Sequence, residues 1–263
     1  MRSWTKACGL LITSIGLMAC SASPTGRNQL LLFSNTEMSS LGAQSFEQMK
    51  KEIPISQDRK TNTYVQCVAN AIIAQVPKQS GFNTWEVIVF DSEQVNAFAL
   101  PGGKIGVYTG LLNVATNQDQ LATVIGHELA HVLASHSNER LSQSQLANVG
   151  LQITDVVLGA SEYGQYRDIT MAALGVGVQY GVILPYGRRQ ESEADILGLE
   201  LMAKAGFDPK QSVELWKNMA KASDGKQPPE LLSTHPSHDT RIEDLSRTMQ
   251  SLPNYSLSAP NCH

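Results

Sequence analysis

The sequence His127-Glu128-Leu129-Ala130-His131 constrains the fold more than any other part of this chain. Histidines four residues apart lie on one face of a helix, so both imidazoles can bind one metal ion. Glu128 projects to the side, where its carboxylate can act as a base toward a water bound to that ion. Two surface histidines on an ordinary helix would give the same five residues, so the flanking sequence has to decide between the two interpretations.

The residues around this motif favour an apolar, buried helix. Asn117 and Gln120 have the three-residue spacing of an N-terminal capping pair. Apolar residues then recur at helical spacing, as expected for one buried stripe: Leu121, Val124, Ile125, Leu129, Val132 and Leu133. An unpaired imidazole is costly in such surroundings, so metal binding is favoured over a core histidine hydrogen-bonded to a neighbour.

The first 19 residues predict a secretion signal rather than part of the folded domain. Arg2 and Lys6 precede a short apolar segment. This segment ends in Leu17-Met18-Ala19-Cys20, which resembles the lipobox of bacterial lipoproteins, whose cysteine is lipidated. The resemblance implies sorting to the outer membrane, because Ser21 rather than aspartate follows the cysteine. The alternative is an ordinary signal peptide cleaved near Ala22.

The charge balance excludes nucleic acid as a partner. Removing residues 1–19 takes away two basic residues, so that Lys+Arg falls from 20 to 18 against 24 Asp+Glu, a net charge of −6 with neutral histidines. No basic cluster exceeds three residues, so the electrostatic footprint of a nucleic-acid-binding surface is missing. With 42% hydrophobic residues, a mature chain of about 240 residues can bury one core or form two closely packed lobes.

Cys67 and Cys262 predict a disulfide in an exported chain, because Cys8 leaves with the signal and Cys20 would carry lipid. The bond would close a loop of almost 200 residues. The chain-entropy model gives roughly 5 kcal/mol for such a loop, which is an upper figure. The alternative is two separate thiols, one buried and one in a frayed tail.

The periodicity predicts an α+β fold that is predominantly helical. Helices are expected at 36–52, 58–76, around the His127 motif, through 138–205 with breaks near 163–164 and 185–187, from 207 onward, and at 239–251. Strands are expected at 85–90, 97–100 and 104–109, and a loop at 228–236. The apolar segment 169–184 has only 16 residues, which is short for a bilayer crossing, so a buried or lid-like helix is expected there.

A third metal ligand is expected downstream, where Glu191 and Asp195 lie four residues apart at a helix start. One carboxylate could bind the metal while the other accepts a hydrogen bond from the free N–H of a ligating histidine. Glu193 points elsewhere. The spacing equally allows a charged helix start whose acidic residues favour the positive end of the helix dipole.

Five ordered motifs resemble the zinc metallopeptidase family that includes HtpX and the CAAX prenyl proteases. They are residues 25–30 (TGRNQL), 96–103 (NAFALPGG), the His127 motif, 191–195 (ESEAD) and 234–237 (THPS). The match covers nearly the whole mature chain, and the periplasmic LoiP-like and BepA-like members are most similar in layout. The resemblance implies a gluzincin-type zincin with a small three-stranded sheet packed on the zinc-binding helix. We therefore divide the chain into signal peptide (1–19), lipidated tether and leader (20–35), metallopeptidase domain (36–255) and C-terminal tail (256–263).

The same resemblance implies one Zn²⁺ per chain, held by His127, His131 and Glu191. Glu128 would be the general base, which takes a proton from the attacking water and delivers it to the leaving amine. Asp195 would accept the hydrogen bond behind a ligating histidine. These roles agree with the chemistry that the residue types and their spacing allow.

Two further motifs of the family bear on regulation and substrate. His235 matches a histidine near the active site, which would either donate to the oxyanion or occupy the fourth zinc position at rest; a loop histidine beside Pro236 is the alternative. Asn96-Ala97-Phe98-Ala99 resembles an edge strand to which extended peptides add by main-chain hydrogen bonds. The alternative is an ordinary hairpin strand inside the sheet.

The predicted function is a lipid-anchored periplasmic zinc endopeptidase at the outer membrane that cleaves unfolded or misassembled envelope proteins. One alternative is a chaperone-like or scaffold protein at the outer-membrane assembly machinery with latent protease activity. Another is a zinc hydrolase acting on a non-peptide bond. Glu128 argues against pure scaffolding, because a structural metal site has no use for a water-activating carboxylate, and the edge strand argues for peptides.

Overall fold

The structure of the chain is a computed structural model. It describes residues 20–78, 84–161, 165, 167–178, 184–222, 235, 241–253, 255 and 258–262. The chain divides into two compact units: unit 1 joins residues 1–34 to 135–187, and unit 2 joins 35–134 to 188–263. Helices predominate among the described residues and are accompanied by a three-stranded sheet, as the sequence predicts, and by a two-stranded sheet at residues 20–22 and 28–30 that it does not predict.

The elements follow one another in the order that the periodicity suggests. The helices are α1 (Asn35–Glu52), α2 (Arg59–Ile73), α3 (Gln118–Leu133), α4 (His136–Gly159), α5 (Arg167–Val178), α6 (Leu184–Lys204), α7 (Gln211–Ala222) and α8 (Arg241–Ser251). The strands are β1 (Cys20–Ala22), β2 (Asn28–Leu30), β3 (Glu86–Phe90), β4 (Ala97–Leu100) and β5 (Lys104–Tyr108), with a 3₁₀ helix at Thr109–Asn113.

Most predicted boundaries are confirmed to within a few residues, with two corrections. The break expected at 185–187 is wrong, because α6 already begins at Leu184 and holds Pro185 in its first turn, where proline has no helical hydrogen bond to lose. The helix expected from 207 begins at Gln211, whose N–H donates to the Asp208 carbonyl at 3.1 Å. The predicted signal segment, the break near 163–164 and, apart from His235, the loop at 228–236 lie outside the described residues.

The three-stranded sheet of unit 2 has β5 at its centre, parallel to β3 and antiparallel to β4. Gly102 and Gly103 make the turn between β4 and β5 with positive φ angles of 87° and 73°, which other residues rarely adopt. The outer edge of β3 is covered, since the Ser56 N–H donates to the Val89 carbonyl at 2.9 Å. β4 forms the other edge of this sheet.

Helix α3 forms the centre of unit 2, where β4, α2 and α7 pack against it. Every residue from Gln120 to Val132 is buried. Asn117 caps its first turn, because the side-chain oxygen accepts from the Gln120 N–H at 2.9 Å, as predicted. The Gln120 side chain accepts from the Thr116 N–H at 2.9 Å instead of reaching back to the cap residue.

The predicted disulfide between Cys67 and Cys262 is present, with the two Cα atoms 5.6 Å apart. It joins α2 to the C-terminal tail. The Cys262 N–H also donates to the Gln118 side-chain oxygen at 3.1 Å, at the first residue of α3. The tail is thereby fixed to the N-terminal end of the helix that carries the His127 motif.

Unit 1 contains the β1–β2 hairpin and the helices α4 and α5. β1 pairs antiparallel with β2, β2 packs against α4, and α5 packs against α4. The segment 169–184 is expected to be a buried or lid-like helix, and its first turns are not buried, since Ile169 is 75% exposed and Leu174 is 39% exposed. Among the described residues, no helix has the length and apolarity needed to cross a membrane.

Candidate metal centre

Four side chains of unit 2 converge on one point. They are His127 and His131 from α3, Glu191 from α6, and His235. One ligand atom from each side chain lies within 4.8 Å of those from the other three, and all four residues are buried. The structure therefore brings together the three predicted ligands and the histidine whose role the sequence left open.

The ligand atoms face one another rather than separate partners. The Nε2 atoms of His127 and His131 are 3.1 Å apart. Glu191 lies opposite, with Oε2 at 3.2 Å from His127 Nε2 and Oε1 at 3.5 Å from His131 Nε2. His235 Nδ1 is 3.2 Å from His127 Nε2 and 3.1 Å from Glu191 Oε2. Nitrogen and carboxylate atoms that converge over such distances can all bind one metal ion placed between them.

Asp195 determines which nitrogen of His127 is available to a metal. The Nδ1 atom of His127 lies 2.9 Å from Asp195 Oδ1, and a carboxylate only accepts, so Nδ1–H is the donor. Nε2 then carries the lone pair that points into the four-residue group. The prediction that Asp195 stands behind a ligating histidine agrees with this geometry.

The pKa values of the two α3 histidines are shifted in opposite directions. Burial lowers the pKa of His127, but its hydrogen bonds to the Asp195 and Glu191 carboxylates outweigh burial and raise the pKa to about 9. Burial lowers the pKa of His131 well below its ordinary value. Burial opposes ionisation of Glu191, but hydrogen bonds from the three histidines hold the pKa of this carboxyl far below its usual range. A divalent cation satisfies the carboxylates and leaves the imidazoles neutral, as ligands must be.

Glu128 lies beside this group with one oxygen free. The residue is 3% exposed, and its Oε1 atom has no hydrogen-bond partner among the described residues. The ring nitrogen Nε2 of His235 lies 3.4 Å from that oxygen. A buried carboxylate oxygen without a donor is costly unless a ligand or water completes it. The two α3 histidines, one carboxylate and a further histidine are a donor set that suits zinc, so the residues fit the metal that the sequence predicts.

Arg241 supports the site from behind, and its stacking partner Trp216 is a residue that sequence reasoning missed. The guanidinium donates to Asp195 Oδ1 at 2.6 Å, and its carbon lies 3.7 Å from the centre of the Trp216 ring. Burial opposes ionisation of Asp195, but Arg241 and then His127 lower its pKa below the ordinary value. Arg241 also lies near Glu191, with Nη1 at 3.8 Å from Oε2, a longer contact than that with Asp195.

Sequence reasoning also missed two glycines that let α3 and α6 approach each other. A Cβ atom on Gly126 would lie 2.8 Å from the Gly198 carbonyl oxygen, and one on Gly198 would lie 2.8 Å from the His127 nitrogen. Both obstacles are backbone atoms, so a larger residue would push the helices apart. The only sequence signal was a glycine in the interior of an apolar helix, directly before the motif.

The predicted substrate strand lies at an edge of the three-stranded sheet, with no further strand paired to it among the described residues, and it packs against α3. Ala97 and Ala99 are nevertheless buried, at 2% and 8% exposure. The Tyr108 N–H donates to the Asn96 carbonyl at 3.1 Å, which makes these two residues a hydrogen-bonded pair. In an antiparallel ladder, hydrogen-bonded and non-hydrogen-bonded pairs alternate. The main-chain N–H and C=O of Phe98 therefore also point towards β5, whereas those of Ala97 and Ala99 point away from it. Peptide binding at this edge remains a prediction.

Cys20, the predicted lipidation site, lies in β1 of unit 1, where it pairs with Leu30. Its lipidation also remains a prediction. The motif at residues 25–30 has a structural explanation within the same unit. Gly26 supplies a turn with φ of 85°, and Arg27 donates to both carboxylate oxygens of Glu139 at 2.6 and 2.7 Å.

Comparison with known sequences places these residues in context. The profile of Peptidase family M48 matches residues 59–249, which include the HExxH motif and Glu191. The mitochondrial metalloendopeptidase OMA1 of Bos taurus is 34% identical over 91% of this chain, and the human protein of that name is 32% identical over 91%. The Beta-barrel assembly-enhancing protease of Escherichia coli is 26% identical over 78% of this chain. The matches cover 48%, 48% and 42% of these relatives, so the chain spans about half the length of the curated relatives it matches.

Proposed function

Because this chain belongs to Peptidase family M48, we propose that it is a zinc-dependent endopeptidase whose catalytic centre is the His127 group. Membership in the family confirms the predicted class, a zinc-dependent peptidase, and the predicted cofactor. The observation that carries the proposal is the convergence of four ligand atoms within 4.8 Å beside the free oxygen of Glu128. The gluzincin type and the likeness to LoiP are finer parts of the same proposal.

His127, His131 and Glu191 hold the metal, and Glu128 moves the proton. Zinc, when bound, lowers the pKa of a water towards about 7 and polarises the scissile carbonyl. Glu128 accepts the proton of the attacking water and delivers it to the leaving amine. Its burial among apolar residues of α3 keeps bulk water away from the carboxylate and strengthens its interaction with the reacting atoms.

Asp195 and Arg241 orient the ligands without touching the substrate. Asp195 fixes the Nδ1–H tautomer of His127, and Arg241 fixes Asp195 through a charge-assisted hydrogen bond of 2.6 Å. The stack of Arg241 on Trp216 holds the guanidinium in place. Loss of such a hydrogen bond behind a ligand typically lowers metal affinity about 10- to 100-fold.

His235 holds the centre in a resting form in this proposal. Its Nδ1 atom lies among the ligand atoms, and its Nε2 atom lies 3.4 Å from the base Glu128. A fourth protein ligand takes the position that a catalytic zinc site keeps open for water. Displacement of His235 by substrate would open this position, after which the imidazole is available to donate to the oxyanion.

Extended, unfolded polypeptides are the substrates that the site suits best. The main-chain groups of Ala97 and Ala99 point away from β5, and a peptide that paired with them would be selected for extended shape rather than sequence. β4 packs against α3, which carries the catalytic residues. A peptide added to this edge therefore runs beside the His127 motif.

The periplasmic face of a bacterial outer membrane is the proposed location. Support comes from the lipobox at residues 17–20 and from the Cys67–Cys262 disulfide, a bond typical of oxidising compartments. The relative from Escherichia coli is named for enhancing β-barrel assembly. Lipidation at Cys20 would anchor the chain, and misassembled envelope proteins would be its substrates.

A second candidate function is a chaperone-like or scaffold role at the outer-membrane assembly machinery, with the peptidase latent. The specific observation in its favour is His235, which fills the fourth ligand position and approaches Glu128. Glu128 itself argues against it, since a structural zinc site needs no base. A hydrolase for non-peptide bonds is disfavoured by the open strand edge.

The test uses residues 21–263, which carry no lipid, as wild type and as Glu128→Gln. We expect one zinc per chain in both proteins and cleavage of reduced casein by the wild type alone. His235→Ala should raise basal cleavage, because the fourth position becomes free. Full zinc with no cleavage by the wild type or by His235→Ala would favour the scaffold role, and absence of bound metal in all three would overturn the proposal.

A further inference from the structure

The helices α4 and α5 of unit 1 carry most of the large hydrophobic side chains that the described residues expose. Twelve large hydrophobic side chains are exposed among the described residues, and eight of them lie on these two helices. The eight are Leu141, Leu146, Val149, Ile153, Val156, Val157, Ile169 and Leu174. Exposed apolar residues are normal when scattered, so a concentration of this kind on one helix pair calls for an explanation.

Five of these residues form one stripe along α4, which we call the α4 stripe. They are Leu146, Val149, Ile153, Val156 and Val157. Their three- and four-residue spacing places them on a single face, and Ile153 and Val156 are 61% and 70% exposed. α4 has 24 residues, a length of about 36 Å, so the stripe is an extended surface rather than a pocket.

The chemistry of the α4 stripe fits acyl chains better than a protein partner. Its members are all aliphatic, whereas the centres of protein interfaces are enriched in aromatic residues, methionine and arginine. Asp155 is the only ionisable residue of the sequence between Arg140 and Glu162, so this stretch offers serine, threonine, asparagine and glutamine. The nearest basic residues on the two helices are Arg140 and Arg167. Attraction to anionic lipid headgroups therefore contributes little, and burial of apolar area has to supply the binding.

The proposed lipid anchor belongs to the same compact unit as the stripe. β1, which begins at Cys20, pairs with β2, and β2 packs against α4. Arg27, just before β2, makes a two-pronged ion pair with Glu139 in the first turn of α4. A lipid on Cys20 would keep unit 1 at the bilayer surface, where a weakly binding apolar face gains from the high local concentration.

From these observations we infer that the α4 stripe, together with the exposed residues of α5, lies in the interfacial layer of a lipid bilayer. The inference rests on the lipid anchor of the proposed function, not on its peptidase chemistry. α4 lies parallel to the membrane plane with the stripe facing the acyl chains. The bilayer thus covers an apolar face that the unit itself leaves in water.

The experiment measures binding of residues 21–263, which lack the anchor, to vesicles at millimolar lipid. Vesicles of phosphatidylcholine are compared with vesicles that also contain phosphatidylglycerol, at low and high salt. We expect binding to both, with little effect of salt, because no basic residue lies within the span of the stripe, 146–157. The double variant Ile153→Glu/Val156→Glu should lower the partition coefficient about tenfold or more, since charge is costly in the interfacial layer.

The matched control is Asn148→Asp/Gln152→Glu, which adds the same charge to exposed positions of α4 outside the stripe. It should bind vesicles like the wild type. Equal losses in both double variants, no vesicle binding by the wild type, or a dimer dissociated by Ile153→Glu/Val156→Glu would each overturn the inference. Casein cleavage in the same preparations reports separately on the proposed function, because neither double variant alters a residue of the metal centre.

Discussion

Two buried glutamates, Glu139 in unit 1 and Glu191 in unit 2, show how the same side chain serves two purposes. Glu139 is fully buried, and both of its oxygens accept from Arg27 at 2.6 and 2.7 Å, with Gln29 adding a hydrogen bond at 3.2 Å. Glu191 is 1% exposed and faces histidine nitrogens at 3.1 to 3.5 Å. One carboxylate is neutralised by a fixed cation of the chain, and the other is surrounded by ligands.

The difference lies in what neutralises the charge. Arginine stays protonated in proteins, so the Arg27–Glu139 pair is complete without any partner from outside. The histidines around Glu191 are bases, and Asp195 directs the lone pair of His127 towards the same point. Burial of a carboxylate is tolerable only when it is paired, and the histidine nitrogens around Glu191 are placed to share a bound cation with it. A buried carboxylate among histidines therefore indicates a metal site. A buried carboxylate paired with an arginine guanidinium indicates a structural ion pair.

The largest effect is expected from Glu191→Gln, which removes the negative charge from the ligand group. An amide binds zinc poorly, so zinc content should fall to near zero and cleavage of casein should drop roughly a thousandfold or more, the equivalent of several kcal/mol of metal-ion catalysis. Zinc per chain and the initial rate of cleavage are the two measurements. The control is Glu200→Gln on the same helix, where an exposed pair with Lys204 at 2.6 Å is lost and both values should remain unchanged. Normal zinc content in Glu191→Gln would show that the Glu191 carboxylate is not needed for metal binding, and would contradict the role that the comparison with Glu139 gives it.

Glu139→Gln should cost stability and leave zinc alone. The change leaves the guanidinium of Arg27 without its carboxylate, and because that side chain is 17% exposed we expect a loss of about 2–3 kcal/mol, near the lower end for buried pairs. Urea unfolding followed by circular dichroism measures the loss, and zinc per folded chain should stay at one. The double variant Arg27→Leu/Glu139→Leu is the control, since it removes both charges and should cost less than the single change. A fall in zinc content of the folded Glu139→Gln protein would contradict the division of roles.

Alanine substitutions at Gly198 and Gly150 test whether the position of Glu191 depends on the close approach of its helix, α6, to α3. Gly198→Ala places a methyl group 2.8 Å from the His127 nitrogen. Helix separation should cost about 1–3 kcal/mol, more than the roughly 1 kcal/mol that alanine gains in a helix, and should weaken zinc binding. Gly150→Ala, on the helix of Glu139, meets open space and should stabilise the protein by about 0.5–1 kcal/mol with zinc binding unchanged. The signs of the two stability changes are the measurement, and equal signs would show that the close approach of α3 and α6 is not required.

Local pattern was sufficient to predict much of unit 2. The capping residue Asn117, the apolar stripe of α3 and the three strands are all encoded by neighbours in sequence, so periodicity and turn residues find them. The ligand pair His127 and His131 is likewise local, since a single helix sets its geometry. The prediction of Glu191 as a ligand needed the family resemblance, because its spacing alone also fits a solvated helix start.

Features that depend on the meeting of distant elements could not be predicted from the sequence. The Gly126–Gly198 crossing joins residues of α3 and α6 that are far apart in the chain, and a lone glycine carries no sign of its partner. Trp216 looks like any core residue until Arg241 is seen stacked on it at 3.7 Å. The sequence left a buried and a lid-like helix open around Ile169 for a related reason, since apolar composition favours burial but does not reveal how much of a helix packs against protein.

The smallest effect on stability is expected from a substitution at Glu86. Like Glu139, this carboxylate is paired with basic side chains, but it lies at the surface. Its oxygens lie 2.8 Å from Lys50 Nζ and 2.7 Å from Lys104 Nζ, yet the side chain is 34% exposed. Glu86→Gln should therefore cost less than about 1 kcal/mol, and high salt should reduce even that. The hydrogen bonds from Lys104 and then Lys50 lower the pKa of Glu86 below its ordinary 4.5, so its contribution is present at neutral pH and is lost as pH falls through the lowered value. The urea midpoints of wild type and variant should thus converge in acid and in salt. A loss as large as that of Glu139→Gln, unaffected by salt, would show that something other than burial separates the two glutamates.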